Sequence, residues 1–234
     1  MPADFSRGLP VPRVFSTEGE HPFDSVTWER RTAAIKNHTG EAIFEQEGVE
    51  FPESWSPLAV NVVASKYFYG DLAKGNGSPA DGQREHSLKQ LVHRVTRTIT
   101  DWGRDQNYFA SDADAETFYD ELTWLCTNQY GAFNSPVWFN VGLHAQYGVT
   151  DTGNKTISAW DFEKGEVVDV DPYERPQASA CFIISVDDSV DDIWQLMGES
   201  ARLFKFGSGV GADWSKLRSS HEKLSGGGQP SGPV

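Results

Sequence analysis

The sequence predicts an α/β chain: a mainly helical N-terminal domain followed by one strand–helix unit of something larger. Three observations predict it. Leu88, Leu91, Val92, Val95, Ile99 and Trp102 recur at helical spacing behind a Ser87–Gln90 capping box. Ala178–Val186 carries apolar residues on both faces, as a strand does when covered on both sides in an α/β barrel. Behind it, Val190, Ile193, Trp194, Met197, Ala201 and Phe204 form a second helical stripe.

Taken in order, residues 1–26 contain Pro2, Pro10, Pro12 and Pro22 and read as an extended arm. Thr27–Lys36 and Glu41–Glu50 flank the turn-forming Asn37-His38-Thr39-Gly40 and predict a hairpin. Ser54–Tyr69 predicts a helix with a cap-like serine, Pro57 in its first turn, and Leu58, Val62, Ala64 and Tyr67 or Phe68 as its apolar positions. Gly70–Gln83 is a loop. After the helix that begins at Ser87, Ser111 and Asp114 start another, with the stripe Ala115, Phe118, Leu122, Leu125 and Cys126. Thr150–Pro176 is a polar surface excursion with a small hairpin, Ile157–Trp160 and Val167–Val170. Asp187, Asp188 and Ser189 are N-cap candidates for the helix after the Ala178–Val186 strand. Val210–Trp214 predicts a short strand, and Ser219–Val234 a glycine- and proline-rich loop. The expected divisions are an arm (1–26), a helical domain with a hairpin (27–130) and a third part (131–234).

Composition narrows the function. The 234 residues include 34 acids and 20 bases, a net charge of -14. That field repels polynucleotide phosphate and anionic lipid, so neither a nucleic-acid polymer nor a membrane is an expected partner. A mononucleotide can still bind where a nest of amides overcomes the global field. No apolar run approaches a membrane span, and the N-terminus lacks a signal-peptide core. The two cysteines, Cys126 and Cys181, form no Cys-x-x-Cys pair; a reducing cytoplasm is the expected location. The six histidines have no ligand spacing, and no metal site is expected.

Three motifs carry the chemistry: Asn134-Ser135-Pro136-Val137-Trp138-Phe139-Asn140, then Gln177-Ala178-Ser179-Ala180-Cys181-Phe182-Ile183-Ile184-Ser185, then the glycine turn Phe206-Gly207-Ser208-Gly209-Val210-Gly211. Singly, each has an ordinary meaning. Asn-Ser-Pro is a common turn, a strand cysteine is usually a small apolar side chain, and the glycine turn is neither a Walker loop nor a dinucleotide fingerprint. Cys126, on an apolar helix stripe, reads as an inert core thiol.

In this order, the motifs resemble the start of the catalytic barrel of ribonucleotide reductases, specifically the adenosylcobalamin-dependent class II form. Further similar segments include Val26-Thr27-Trp28-Glu29-Arg30 and Ala110-Ser111-Asp112-Ala113-Asp114, and the resemblance runs from about Thr27 to Val234. It implies that residues 131–234 begin a ten-stranded α/β barrel, incomplete in this chain. It implies that Cys181 donates hydrogen as the ribose 2′-hydroxyl leaves, ending in a disulfide with a cysteine much further along. Reducing the ribose takes two electrons, which a dithiol supplies. Substrate contacts are implied at Ser135, Ala180, Cys181 and Gly209, with glycine allowing close backbone approach. A deoxynucleotide triphosphate effector is implied at Asp188, Ser189, Val190 and Arg218, the acid taking the sugar hydroxyl and the arginine a phosphate.

Other implied partners are the remaining barrel, a thioredoxin-type or dithiol reductant, and a second copy in a homodimer. Adenosylcobalamin is implied for the complete enzyme, through residues mostly outside this chain, with cobalt–carbon homolysis generating a thiyl radical. The finger loop Asn-x-Cys-x-Glu is absent from the sequence, so the isolated chain is expected to be inactive. Two alternatives stand beside this expectation: a non-catalytic nucleotide-binding or assembly subunit of a split reductase, and part of a class I large subunit.

Overall fold

Local sequence sets the element boundaries in a computed structural model that describes residues 8–151, 157–205, 208–222 and 226–232. Strands β1 (Trp28–Lys36) and β2 (Ala42–Pro52) form the expected antiparallel hairpin, pairing Trp28 with Pro52 and Lys36 with Ala42 across an irregularity between Arg31 and Ala33. Helix α1 (Pro57–Lys66) is capped by Ser56, whose hydroxyl accepts from the Ala59 amide at 3.2 Å; its cap is therefore not Ser54. Pro57 sits at its start, where the missing N–H costs no hydrogen bond. Helix α2 (Leu88–Asp105) has the complete Ser87–Gln90 capping box, and Ser111 caps α3 (Asp112–Thr127).

The chain divides into two compact units, Met1–Ala178 and Ser179–Val234. In the first, the hairpin, α1 and α2 enclose a core that includes Ala33, Val49, Phe51, Val60, Ala64, Phe68, Leu91, Val92 and Val95. Cys126, Val137, Trp138 and Val141 extend it. The stripe expected on α2 is buried from Leu88 to Val95, but Trp102 is exposed, because towards the C-terminal end the buried face passes through Thr96, Thr100 and Gly103 instead. Leu58 and Val62 of α1 are also exposed; Val60, Val63 and Ala64 face inward instead. The arm is tied to α3 and to the segment before it: Leu9 bridges Phe109, Arg13 pairs with Asp120 at 2.8 Å, and Glu121 accepts from the Phe15 and Ser16 amides. One 3₁₀ turn, Pro22–Ser25, ends it; residues 1–7 of the arm lie outside the described residues.

Asn134-Ser135-Pro136 starts a helix, α4 (Ser135–Asn140), rather than an isolated turn. Asn134 is its N-cap and proline enters the first turn, a position that suits its fixed φ. Gly142, at φ +82°, leads into α5 (Leu143–Tyr147). A Cβ there would stand 2.3 Å from the Arg94 carbonyl oxygen, so glycine is what lets this segment lie against α2. Strands β3 (Ile157–Asp161) and β4 (Glu166–Val170) form the small antiparallel hairpin expected in the polar excursion.

In the second unit, β5 (Cys181–Ser185), α6 (Val190–Lys205) and β6 (Gly209–Asp213) form a parallel strand–helix–strand unit. The described part of the predicted glycine turn, Ser208–Gly211, mostly opens β6; Phe206 and Gly207 lie outside the described residues. Residues 223–225 and 233–234 of the expected tail loop do too. The apolar-on-both-faces pattern of β5 does not produce a strand covered on both faces here. The sheet has two strands, and Ile183 is 85% exposed. The α6 stripe is likewise turned outward: Leu196 is buried, whereas Val190, Trp194, Met197 and Phe204 are exposed. Among the described residues the architecture is thus α/β, with helices and three two-stranded sheets, none closed. No described helix is long and apolar enough to cross a membrane.

Candidate functional site

Cys181 opens β5 and is exposed. Its partner in parallel register is Gly209, whose amide donates to the Ala180 carbonyl at 2.6 Å. Three of the predicted substrate residues, Ala180, Cys181 and Gly209, therefore meet at one end of one two-stranded sheet. A Cβ at Gly209 would lie 3.6 Å from the Ala180 oxygen and 3.7 Å from the Cys181 sulfur, ordinary van der Waals distances. Folding of this unit thus tolerates a methyl group at position 209. The hydroxyl of Ser208, next to this pair, donates to the Ser179 carbonyl at 3.1 Å and fastens the start of β6 to the approach to β5.

The predicted effector residues also converge. Ser189 is the residue that caps α6, accepting from the Asp192 amide at 3.1 Å. Asp188 is released from that task and takes the Arg218 guanidinium: Nε donates to Oδ2 at 2.5 Å, and a terminal nitrogen to the Asp188 carbonyl at 3.3 Å. Next to it, Lys216 donates to Asp187 at 2.7 Å, a bond that raises the lysine above its ordinary pKa. Val190 is exposed at the first position of α6. Both acids and both bases sit at the C-terminal ends of β5 and β6, where parallel α/β units present their loops.

Ser135 belongs to the first unit. Its hydroxyl lies 3.1 Å from the Tyr67 hydroxyl, so it is paired rather than free. The segment that carries it is anchored by a feature that sequence reading missed, a fully buried ion pair between Arg94 and Glu85. Arg94 Nε donates to Glu85 at 2.8 Å, and its terminal nitrogens donate to the carbonyls of Val141 at 2.8 Å and Trp138 at 3.1 Å. Glu85 also accepts from the Tyr69 amide and the Tyr147 hydroxyl, each at 2.8 Å. Burial and that carboxylate push the Tyr147 pKa upward, keeping the phenol a donor. One sequence signal could have found the pair: Arg94 stands between Leu91 and Val95 on the buried face of α2, where an unpaired cation is not tolerated.

Cys126 is buried, and burial pushes its thiol up to about 12. It lines an apolar cavity of about 570 Å³ among Trp55, Tyr67, Tyr130, Phe133 and Trp138. None of the sequence-predicted site residues lines that cavity. The described residues contain no group of three or more His, Cys, Asp or Glu side chains placed to hold a metal ion.

Comparison with known proteins adds the following. Residues 29–129 match the family described as class II vitamin B12-dependent ribonucleotide reductase. Residues 179–234 match the ribonucleotide reductase barrel domain. The vitamin B12-dependent ribonucleotide reductase of Rhodopirellula baltica is 55% identical over 93% of this chain, and that of Streptomyces coelicolor 46% identical over 97%. The vitamin B12-dependent ribonucleoside-diphosphate reductase of Thermoplasma acidophilum is 41% identical over 59 residues, 25% of this chain and 8% of its own length. The chain spans 20% of the length of the first two relatives.

Proposed function

Because this chain belongs to the class II vitamin B12-dependent ribonucleotide reductase family, we propose that it forms the N-terminal part of an enzyme that reduces ribonucleotides to deoxyribonucleotides by thiyl-radical chemistry. Residues 27–130 are its helical domain, and 131–234 begin its ten-stranded α/β barrel. Cys181 is one of the two thiols that supply the electrons, and Ala180, Gly209 and Ser135 contact the substrate. The observation that carries this is the pairing of Cys181 with Gly209: an exposed thiol beside a backbone position that needs no glycine for the fold. A glycine there leaves room for a ligand instead.

Asp188, Ser189, Val190 and Arg218 form a half-site for a deoxynucleotide triphosphate effector. Arg218 spends Nε and one terminal nitrogen on Asp188. Its guanidinium has further donors with which to meet a phosphate. The exposed faces of β5 and α6 suit cover by the remaining barrel. A dithiol or thioredoxin-type reductant, a homodimer and a cytoplasmic location complete the proposal. Adenosylcobalamin is the radical source in this enzyme. Its binding residues lie mostly outside this chain.

The test is substitution in the full-length reductase. Cys181→Ser should remove multiple turnover while the protein stays folded, whereas Gly209→Ala should weaken substrate binding with little effect on melting. Normal turnover by the Cys181→Ser enzyme would remove Cys181 from the chemistry and favour a nucleotide-binding module without catalysis.

A further inference from the structure

Both partners of the Tyr67–Ser135 hydroxyl pair are held by one buried guanidinium. Arg94 donates to the carbonyls of Trp138 in α4 and of Val141 at its C-terminal end, and also to the Tyr67 carbonyl at 3.4 Å. Neither Arg94 nor Glu85 has exposed side-chain surface, so the clamp is desolvated and its geometry is fixed by several mutually dependent bonds. The Tyr67 ring adds a second attachment, 5.4 Å from the Phe139 ring of α4. The phenol is thereby set against Ser135 from two directions, by its own backbone and by its ring. Placement of this kind, by rigid neighbours rather than by a loop, is what orients a functional group.

Direction of the hydrogen bond follows from chemistry. A phenol is a more acidic donor than an aliphatic alcohol, so the favoured arrangement has Tyr67 donating and the Ser135 oxygen accepting. The serine hydrogen is then free to point away from Tyr67 towards an acceptor. A substrate phosphate offers only acceptors at its ionised oxygens, so it needs that hydrogen. With the bond reversed, Ser135 would present lone pairs to the phosphate and repel it.

We propose that Tyr67 is a positioning residue: its hydroxyl fixes the rotor of Ser135 so that the serine donates to the phosphate side of the ribonucleotide. The proposal rests on the assignment of Ser135 as a substrate contact. Tyr67 itself touches no reacting atom.

The experiment measures kcat and KM for ribonucleotide reduction in the full-length reductase, with Tyr67→Phe, Ser135→Ala and the double variant. Tyr67→Phe keeps the ring and deletes only the oxygen, so the melting temperature should stay unchanged. Loss of one hydrogen bond in substrate binding should raise KM by roughly two- to tenfold in each single variant. The kcat of Tyr67→Phe should be unchanged, and the double variant should be no worse than Ser135→Ala alone. A merely structural tyrosine would not give that non-additive KM pattern. If Ser135→Ala raises KM and Tyr67→Phe does not, the positioning role is overturned while the substrate contact stands. If Ser135→Ala leaves KM unchanged, the contact and the positioning role both fail. A full Tyr67→Phe effect in the Ser135→Ala background would show that Tyr67 acts through something else, and would overturn the proposal.

Discussion

Arg94–Glu85 in the first unit and Arg218–Asp188 in the second are both arginine–carboxylate pairs, yet they have opposite surroundings. The first has no exposed side-chain surface and shares its groups with four backbone positions and a tyrosine. The second has 35% and 36% of its side-chain surface exposed. The cysteines divide the same way, Cys126 buried in the first unit and Cys181 exposed in the second. The described core cluster belongs to the first unit, which also exposes Leu58 and Phe162, while Ile183, Trp194 and Phe204 lie open in the second. The lesson is a division of labour. The polar pair at the centre of the first unit is enclosed and spent on fixing a fold, whereas the Arg218–Asp188 pair and the Cys181 thiol of the second stay open to solvent.

The sharpest way to break this comparison is to alkylate the folded chain near pH 8. A thiol pushed up to about 12 holds very little thiolate at that pH, and burial removes access as well. Cys126 should react on the order of a thousandfold more slowly than Cys181, and should become reactive only in denaturant. Peptide mapping by mass spectrometry reads the result; equal labelling of the two would erase the distinction.

The ion pairs give the next largest contrast. Arg94→Met leaves the Glu85 carboxylate buried without its cation and should cost about 3–5 kcal/mol of stability. Arg218→Ala, at a partly exposed pair, should cost less than about 1 kcal/mol. Urea unfolding of both variants measures the two together. The same Arg218→Ala change should weaken deoxynucleotide triphosphate binding by the full-length enzyme about tenfold or more, through loss of a charge-assisted bond. Unchanged effector affinity would move that site elsewhere.

The smallest effect sharpens the picture of the first unit's surface. Arg97 first, and then Arg104, hold the Glu116 carboxyl down at about 2. A folded pKa below the unfolded value stabilises above the unfolded pKa and loses that contribution as pH falls through the folded one. The contribution should therefore be complete above about pH 4.5 and disappear towards pH 2. Glu116 is half exposed, so screening limits it to less than about 1 kcal/mol. Glu116→Gln should flatten that part of the melting curve against pH.

Much of the fold was legible because its signals are local. Ser87 with Gln90, Ser111 with Asp114, and the turn at Asn37–Gly40 each place a boundary within a few residues. Asn134-Ser135-Pro136 fits a turn as well as a helix start, and the structure makes it the latter, with a capping Asn followed by Pro in the first turn. What periodicity cannot supply is the identity of the covering partner. The α6 stripe exists as expected, but spacing alone does not say that Leu196 faces inward while Trp194 faces out. The Arg94–Glu85 clamp is half legible for a related reason: the place of Arg94 on the buried stripe of α2 is a local signal, but the carbonyls it holds lie 44 and 47 residues away. Family resemblance brought Cys181 and Gly209 into one site from positions that spacing alone would not join, and the parallel register of β5 and β6 sets them side by side.

The central claim is that this chain carries a reducing thiol that works only with the rest of the barrel. The direct measurement mixes the purified chain with the separately expressed remainder of the reductase, adenosylcobalamin and a dithiol, and quantifies deoxynucleotide formation. Product should form in the mixture, be absent with either part alone, and vanish when the chain carries Cys181→Ser. Product from the chain alone, or undiminished product with Cys181→Ser, would contradict it.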